Sequence, residues 1–188
     1  ADDALAACAA VAAADPEVEQ VVICTPYKDL GQCVVDGRVV QLDRRKGTVF
    51  DEAAVTEKFG VPPASITDYL ALVGDSADGF PGLAGFGAKS TATLLARYHH
   101  LEAVPALAAD WDVPVRNAGR LARTLQEQMD LALLFRRIAT VERDAPTVTT
   151  VDELAWRGPR PELADLAASL DAPALAARAA KLARARGR

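Results

Sequence analysis

The sequence lacks an excess of basic charge. Its 21 Lys and Arg stand against 26 Asp and Glu, a net charge of −5. That excludes a generally basic nucleic-acid binder. It leaves room for a local phosphate-binding surface, because carboxylates gathered around metal ions count as negative only until metal binds. Cysteine is sparse. Cys8, Cys24 and Cys33 show no CxxC spacing. Each sits in an apolar run, so buried free thiols in a reducing compartment, the cytoplasm, are expected. No apolar run reaches the ~18 residues of a membrane-spanning helix, and no signal-peptide pattern is present. There is no Walker loop, no internal repeat, and no Ser–His–Asp or Cys–His arrangement. The two histidines, His99 and His100, are adjacent and point apart, which makes them a poor metal pair and a natural solvated helix end. Residues of hydrophobic type make up 51% of the chain. Much of that is alanine, so the core depends on few large side chains. The chain opens on Ala1-Asp2-Asp3 with no methionine or lead-in, which reads as a piece of something longer.

Residues 2–14 form an Ala-rich helix with Leu5, Cys8, Ala9 and Ala12 on one face, ended by Asp15-Pro16. The continuous apolar run Val21 to Cys24, within residues 18–25, suits a strand buried on both faces of a parallel sheet. Ligands collect at the carboxyl ends of such strands, which points to residues 25–29. A short helical turn is expected at residues 30–33. Asp36-Gly37 between β-branched pairs signals a hairpin over 33–42. Asp43 to Gly47 is a charged turn, and Thr48 to Phe50 extends the hairpin. Asp51 N-caps a helix that Gly60 stops. From Val61 the pattern is all-helical. Pro62-Pro63 opens a helix with Ile66, Tyr69, Leu70 and Val73 on one stripe. Further helices are expected over 88–98, over 101–108 with Pro105 inside, and from Asn117 or Gly119 to about Phe135 with Leu121, Leu125, Met129 and Ala132 inward. Residues 138–142 read as an edge strand and 154–170 as weakly helical. The tail, 172–188, is an Ala-rich helix carrying Arg178, Lys181, Arg184, Arg186 and Arg188. It reads as a solvated end or a non-specific phosphate contact. Trp111 and Trp156 are expected as core or cover residues.

The rest is organised around residues 72–95, LVGDSADGFPGLAGFGAKSTATLL. Asp75 and Asp78 lie in a Gly-bounded loop. Gly85-Phe86-Gly87 forms a tight hairpin running into the helix that opens Ala88-Lys89-Ser90. Taken singly, each acid has an ordinary reading. Asp2 and Asp3 complement a helix macrodipole, Asp29 caps a turn, and Asp75 and Asp78 cap a loop. Together they stand at a helix start, a strand's carboxyl end and a Gly-bounded loop, which is how a sheet-top carboxylate cluster is assembled. Hydrolysis with two metal ions needs such a cluster, because several acids must hold two divalent cations about 3.5–4 Å apart. Phe86 is placed to plug the core. Lys89 and the N–H groups of the following turn are placed to hold a phosphate.

These residues resemble the bacterial 5′–3′ exonuclease and flap endonuclease family, found alone or at the N-terminus of DNA polymerase I. Ala1 to Ala6 is similar to that family's Glu-Ala-Asp-Asp helix start with the Glu lost. Residues 25–32, TPYKDLGQ, are similar to its Thr-x-Asp-Lys-Asp-Leu-x-Gln motif. Residues 74–82, GDSADGFPG, are similar to its Gly-Asp-x-x-Asp-x-x-Pro-Gly loop. Residues 83–95 are similar to its helix–hairpin–helix. The resemblance runs to about residue 145. It implies an α/β fold: a partial parallel-sheet, PIN-like nuclease core over 1–60, a helix–hairpin–helix (H3TH, SAM-like) DNA-binding domain over 61–150, and a helical Ala/Arg-rich extension over 151–188. It implies Mg²⁺- or Mn²⁺-dependent hydrolysis at 5′ ends and 5′ flaps of branched, flapped or nicked duplex DNA in replication and repair. Asp2 and Asp3 would serve the first of two ions, and Asp29, Asp75 and Asp78 the second. Gly85, Gly87, Lys89 and Ser90 would hold the duplex backbone, with K⁺ at the hairpin.

Two departures accompany the resemblance. Tyr27 stands where the family has Asp, and a phenol is neutral near pH 7 and a poor Mg²⁺ ligand. Metal affinity is therefore expected to fall, and a non-catalytic DNA-binding module is the alternative reading. The family's upstream strands, an early metal-binding Asp and the basic arch have no counterpart here, which would leave the strand in 18–25 under-covered.

Overall fold

The computed structural model describes residues 1–187. Helix α1 spans Asp2–Ala14 and stops at Asp15 in extended geometry, the conformation that a following proline favours. Strands β1 (Val21–Ile23), β2 (Val39–Asp43) and β3 (Thr48–Phe50) form one sheet in the order β1-β2-β3. β1 pairs parallel with β2, Val21 opposite Val39. β2 pairs antiparallel with β3, Leu42 opposite Val49. The sheet is therefore mixed rather than parallel throughout. The expected Asp36-Gly37 turn forms, with both residues at positive φ. It closes only a single bridge, Val35 to Val39. The working hairpin is the next one, around the charged turn 43–47, because β2's other edge is taken by β1.

Expectation and structure differ on burial here. Val22 is 43% exposed, so β1 is not buried on both faces. The buried face of α1 is Ala6, Ala7, Ala9 and Ala12, with Leu5 exposed and Cys8 half-buried. An alanine-rich helix is apolar nearly all round, so periodicity cannot choose its face. The small side chains let α1 lie close on Ile23, Leu30, Cys33 and Val39, which with Val141 make the smaller of two apolar clusters. All three cysteines are free; Cys33 is buried, but Cys24 is exposed.

Helix α2 spans Glu52–Phe59. Asp51 accepts the Ala54 N–H at 2.8 Å, and Gly60 ends the helix in left-handed geometry. A 3₁₀ turn over Pro63–Ser65 leads into α3, Ile66–Val73. Ile66, Leu70, Ala71 and Leu72 in α3 are completely buried. This helix is the hub of the larger core, which includes Val55, Val61, Leu94, Leu95, Leu101 and Phe135. A fully buried leucine contributes about 2 kcal/mol of transfer free energy, so the few large side chains are concentrated where they count. Helix α4 spans Ala88–Tyr98. Residues 101–110 hold two 3₁₀ turns, Leu101–Ala103 and Ala108–Asp110, where a helix was expected. Pro105 lies between them, and its carbonyl accepts the Trp111 Nε1–H at 2.8 Å.

The expected long helix is two: α5 (Ala118–Glu127) and α6 (Met129–Ala139), broken at Gln128. The break re-aims the apolar stripe, so Leu121 and Leu125 serve one part of the core while Ala132, Phe135 and Ala139 pack in register with α3. α6 also runs through the expected edge strand. Ile138 is half exposed on the helix, and Val141 is buried without entering a sheet. The compact unit that holds all these elements is Ala1–Thr149. A second unit begins at Thr150 and contains α7 (Leu163–Ser169) and α8 (Pro173–Ala185). Within it the Arg186 guanidinium lies over the Trp156 ring, which is partly exposed. Arg188 of the basic tail lies outside the described residues. Among the described residues no helix is long and apolar enough to cross a membrane.

A polar network that the sequence did not reveal braces α3. Asp68 is 1% exposed. Its carboxylate accepts from Arg136 Nη1 at 2.9 Å and faces His100 Nδ1 at 2.9 Å. Arg136 also pairs with Glu102, whose carboxyl that hydrogen bond holds down at about 2. His100 stands exposed just past the end of α4, as expected, and its ring also faces the Asp68 carboxylate. Arg136→Ala should cost about 3 kcal/mol in a urea melt, because it removes the guanidinium from a buried carboxylate. Arg137→Ala, next along the helix, is the control.

Candidate metal centre and nucleic-acid interface

The loop after α3 is cinched at its neck by two glycines. Gly74 has φ +89° and Gly82 φ +72°. A Cβ on Gly82 would stand 2.5 Å from the Leu72 carbonyl oxygen and from Gly74 N, and one on Gly74 would stand 2.5 Å from the Pro81 carbonyl. Above the neck, Asp75 and Phe80 exchange backbone hydrogen bonds of 2.9 and 3.1 Å. Phe80 is buried and stacked on Phe135, ring centroids 5.4 Å apart. Asp75 is 2% exposed, while Asp78 stands exposed at the loop tip.

Residues 25–33 approach from the strand side. Gln41 of β2, itself buried, donates from Nε2 to the carbonyls of Thr25 at 3.0 Å and Tyr27 at 2.6 Å. A 3₁₀ helix over Asp29–Cys33 follows. Gln32 is buried there and donates to the Asp29 and Ala139 carbonyls, both at 2.8 Å, while its Oε1 accepts the Val141 N–H. Gln32 and Gln41 thus hold the loop from both sides. Nothing in the local sequence marks either glutamine for this role, although Gln32 lies in the TPYKDLGQ stretch.

The result is a cavity of about 300 Å³ whose lining includes Asp2, Tyr27, Lys28, Asp29, Asp75 and Asp78. Four of the five expected acids line it. The fifth, Asp3, does not; its Oδ1 accepts the Glu142 N–H at 2.9 Å and ties the segment after α6 to α1. Burial first, then the charges of Asp2 and Asp78, push the Asp29 carboxyl up to about 6. Asp78 is likewise raised, by desolvation and then by Asp75 and Asp2, with Lys28 opposing. Like charges that raise one another's pKa mark a site with more negative charge than the chain itself neutralises. Within the cavity lining, Lys28 Nζ pairs with Asp75 Oδ1 at 3.0 Å. Tyr27 sits at the rim, 52% exposed.

Among the described residues no three His, Cys, Asp or Glu side chains close into a ready-made coordination group. The carboxylates rim an open cavity instead. That donor set fits a hard, hydrated cation. Mg²⁺ typically keeps several waters and takes only one or two carboxylates plus substrate phosphate.

The second site is the hairpin. Phe86 is buried, as expected of a plug, and Gly85 and Gly87 are exposed to either side of it. Ser90 Oγ accepts the Gly87 N–H at 3.1 Å, closing the hairpin onto α4. The first N–H groups of a helix have no intrahelical acceptor, and the start of α4 borders a cavity of about 520 Å³ lined by Gly85, Gly87, Lys89, Ser90, Arg116 and Asn117. The first four were expected from the sequence. Arg116 and Asn117 join them because the start of α5 folds back to the same place.

A sequence model of the family described as 5′–3′ exonuclease, C-terminal SAM fold, matches residues 61–162, more than half of the chain. The chain belongs to the 5′–3′ exonuclease family. DNA polymerase I of Pseudomonas aeruginosa is 36% identical over 142 residues, 71% of this chain and 15% of that protein. The 5′–3′ exonuclease of Buchnera aphidicola from Schizaphis graminum is 31% identical over 146 residues, 74% of this chain and 48% of that protein. The chain therefore spans less than half the length of either relative. Among solved structures, a bacteriophage T5 flap endonuclease in complex with DNA and metal ions is similar in fold, with a TM-score of 0.59 at 16% identity over 76% of this chain and 49% of that one. A mutant T5 5′-exonuclease gives 0.58 at 17% identity over 77% and 55%.

Proposed function

We propose that this member of the 5′–3′ exonuclease family takes part in metal-dependent hydrolysis of DNA phosphodiesters at 5′ ends and 5′ flaps of branched or nicked duplexes. The observation that carries the reading is the convergence of Asp2, Asp29, Asp75 and Asp78, from three separate segments, on one cavity with uncompensated negative charge. In this reading residues 1–60 act as a partial PIN-like core, 61–150 as the helix–hairpin–helix DNA-binding domain and 151–188 as a helical extension. Asp2, Asp29, Asp75 and Asp78 hold two Mg²⁺ or Mn²⁺ ions, and Asp3 acts alongside by fixing the start of α1. Bound there, such ions supply an activated water and stabilise the leaving oxygen. The chain's own part is to gather these acids on one cavity, so that bound cations offset their mutual repulsion, and to position the strand. Gly85, Gly87, Lys89 and Ser90 position it, with Ser90 keeping the hairpin closed, the backbone N–H groups and Lys89 meeting phosphate, and K⁺ bound at the turn. Such contacts read no bases.

The exposed phenol of Tyr27 at the cavity rim favours a second reading, a duplex-binding module with a weakened metal site. Cleavage of a labelled 5′-flap duplex with Mn²⁺ distinguishes the two, using the full natural polypeptide and its Tyr27→Asp variant. Cutting by both supports the nuclease. Cutting by the variant alone supports the module. No cutting by either, in folded protein that still binds the duplex, overturns the proposed chemistry. Binding itself should weaken steeply with salt, and Lys89→Ala should lower the salt slope by about one.

A further inference from the structure

Lys28 is placed oddly for a residue of a cation-binding cavity. Its ammonium already occupies one of the carboxylates, 3.0 Å from Asp75 Oδ1. That oxygen also accepts the Ala77 N–H at 3.0 Å, so without metal the buried Asp75 is satisfied on this side. The backbone of Lys28 is fixed. The preceding carbonyl is held by Gln41, and its own carbonyl accepts the Gly31 N–H at 3.0 Å. The side chain is not fixed. It is 39% exposed. It borders the carboxylate cavity and also a second depression of about 440 Å³, lined by Val73, Gly74, Ser76, Gly79, Phe80 and Pro81. The lysine stem is long and flexible, so the ammonium can leave Asp75 without the backbone moving.

We propose that Lys28 is a built-in, displaceable counter-ion: its ammonium holds Asp75 in the metal-free protein and gives way when a divalent cation takes that carboxylate. The proposal rests on the metal-centre reading above and adds what regulates that site. The arriving cation must displace a bound positive charge, so the lysine sets a threshold on metal affinity. It also keeps a buried carboxylate paired when the metal is absent, which removing the partner of a buried charge would not permit cheaply. A purely structural ion pair would behave differently. It would stabilise the protein with or without metal and would leave metal affinity unchanged or improve it.

The test is Mn²⁺ binding to the full protein, read from the electron paramagnetic resonance signal of free Mn²⁺, alongside thermal melts in EDTA and in saturating Mn²⁺. Lys28→Met should bind Mn²⁺ about tenfold more tightly, equivalent to about 1.4 kcal/mol of lost competition. Lys28→Arg, whose fork grips a carboxylate more firmly, should bind about threefold more weakly. In EDTA Lys28→Met should melt below wild type, and saturating Mn²⁺ should close that gap. Wild type binding Mn²⁺ with Lys28→Met no tighter would overturn the counter-ion role and leave the metal centre standing. Absence of Mn²⁺ binding in wild type and both variants would overturn both.

Discussion

Gly82→Ala should lower the stability of the protein by about 4 kcal/mol, at the severe end for a single methyl group. The added Cβ would meet the Leu72 carbonyl oxygen and Gly74 N at 2.5 Å. Neither is the yielding end of a side chain, so α3 and the loop neck must part. Gly79 in the same loop is the control. Its φ of +77° is equally left-handed, but a Cβ there meets nothing within 4 Å. Gly79→Ala should therefore cost only the backbone strain, about 1–2 kcal/mol. Urea melts of the two variants separate crowding from conformation, and equal losses would show that the neck is not closely packed. Gly82→Ala should also abolish Mn²⁺ binding at concentrations that saturate wild type, because Asp75 and Asp78 are carried on the strap that the neck closes.

Asp29→Asn should move stability and activity in opposite directions. The Asp29 carboxyl has its pKa raised to about 6 from an ordinary 3.8, so its ionised form is disfavoured in the folded state. The penalty is absent below pH 4, where the carboxyl is protonated whether folded or not. It grows as pH rises from about 4 to 6 and is complete above 6. The full shift corresponds to about 3 kcal/mol. Asp29 borders an open cavity where water and mobile ions screen it, so a gain of about 1–2 kcal/mol is expected for Asp29→Asn at pH 7.5 in EDTA, and none at pH 4. Metal should reverse the order, since bound cations stabilise only the ionised site. Cleavage by the variant should fall at least 100-fold. Matching melting temperatures for the two proteins at pH 7.5 in EDTA would mean that the carboxylates do not crowd one another.

The acids of the site were legible in the sequence because each is marked by local punctuation. Asp2 opens a helix, Asp29 follows a strand, and Asp75 and Asp78 sit between glycines. Helix α4 and the cap at Asp51 were legible for the same reason, since caps and glycines act over a few residues. What could not be read depends on distant partners. Asp3 looks equivalent to Asp2 until α1 is docked, which turns one carboxylate into the cavity and the other onto Glu142. Gln32, Gln41 and the Asp68–His100–Arg136 network satisfy backbone or charge across as many as 109 residues of separation, and nothing local announces them. The face of α1 could not be chosen because its alanines are nearly uniform. The break at Gln128 follows from α6 packing on α3, not from any helix breaker in the sequence.

The most direct test of the metal centre is a crystal of the protein soaked in Mn²⁺, with the ions located by anomalous scattering. Peaks within coordination distance of Asp29, Asp75 and Asp78, with the Lys28 ammonium turned away from Asp75, are the expected result. An empty carboxylate cavity in crystals saturated with Mn²⁺, with Lys28 still paired to Asp75, would contradict the account.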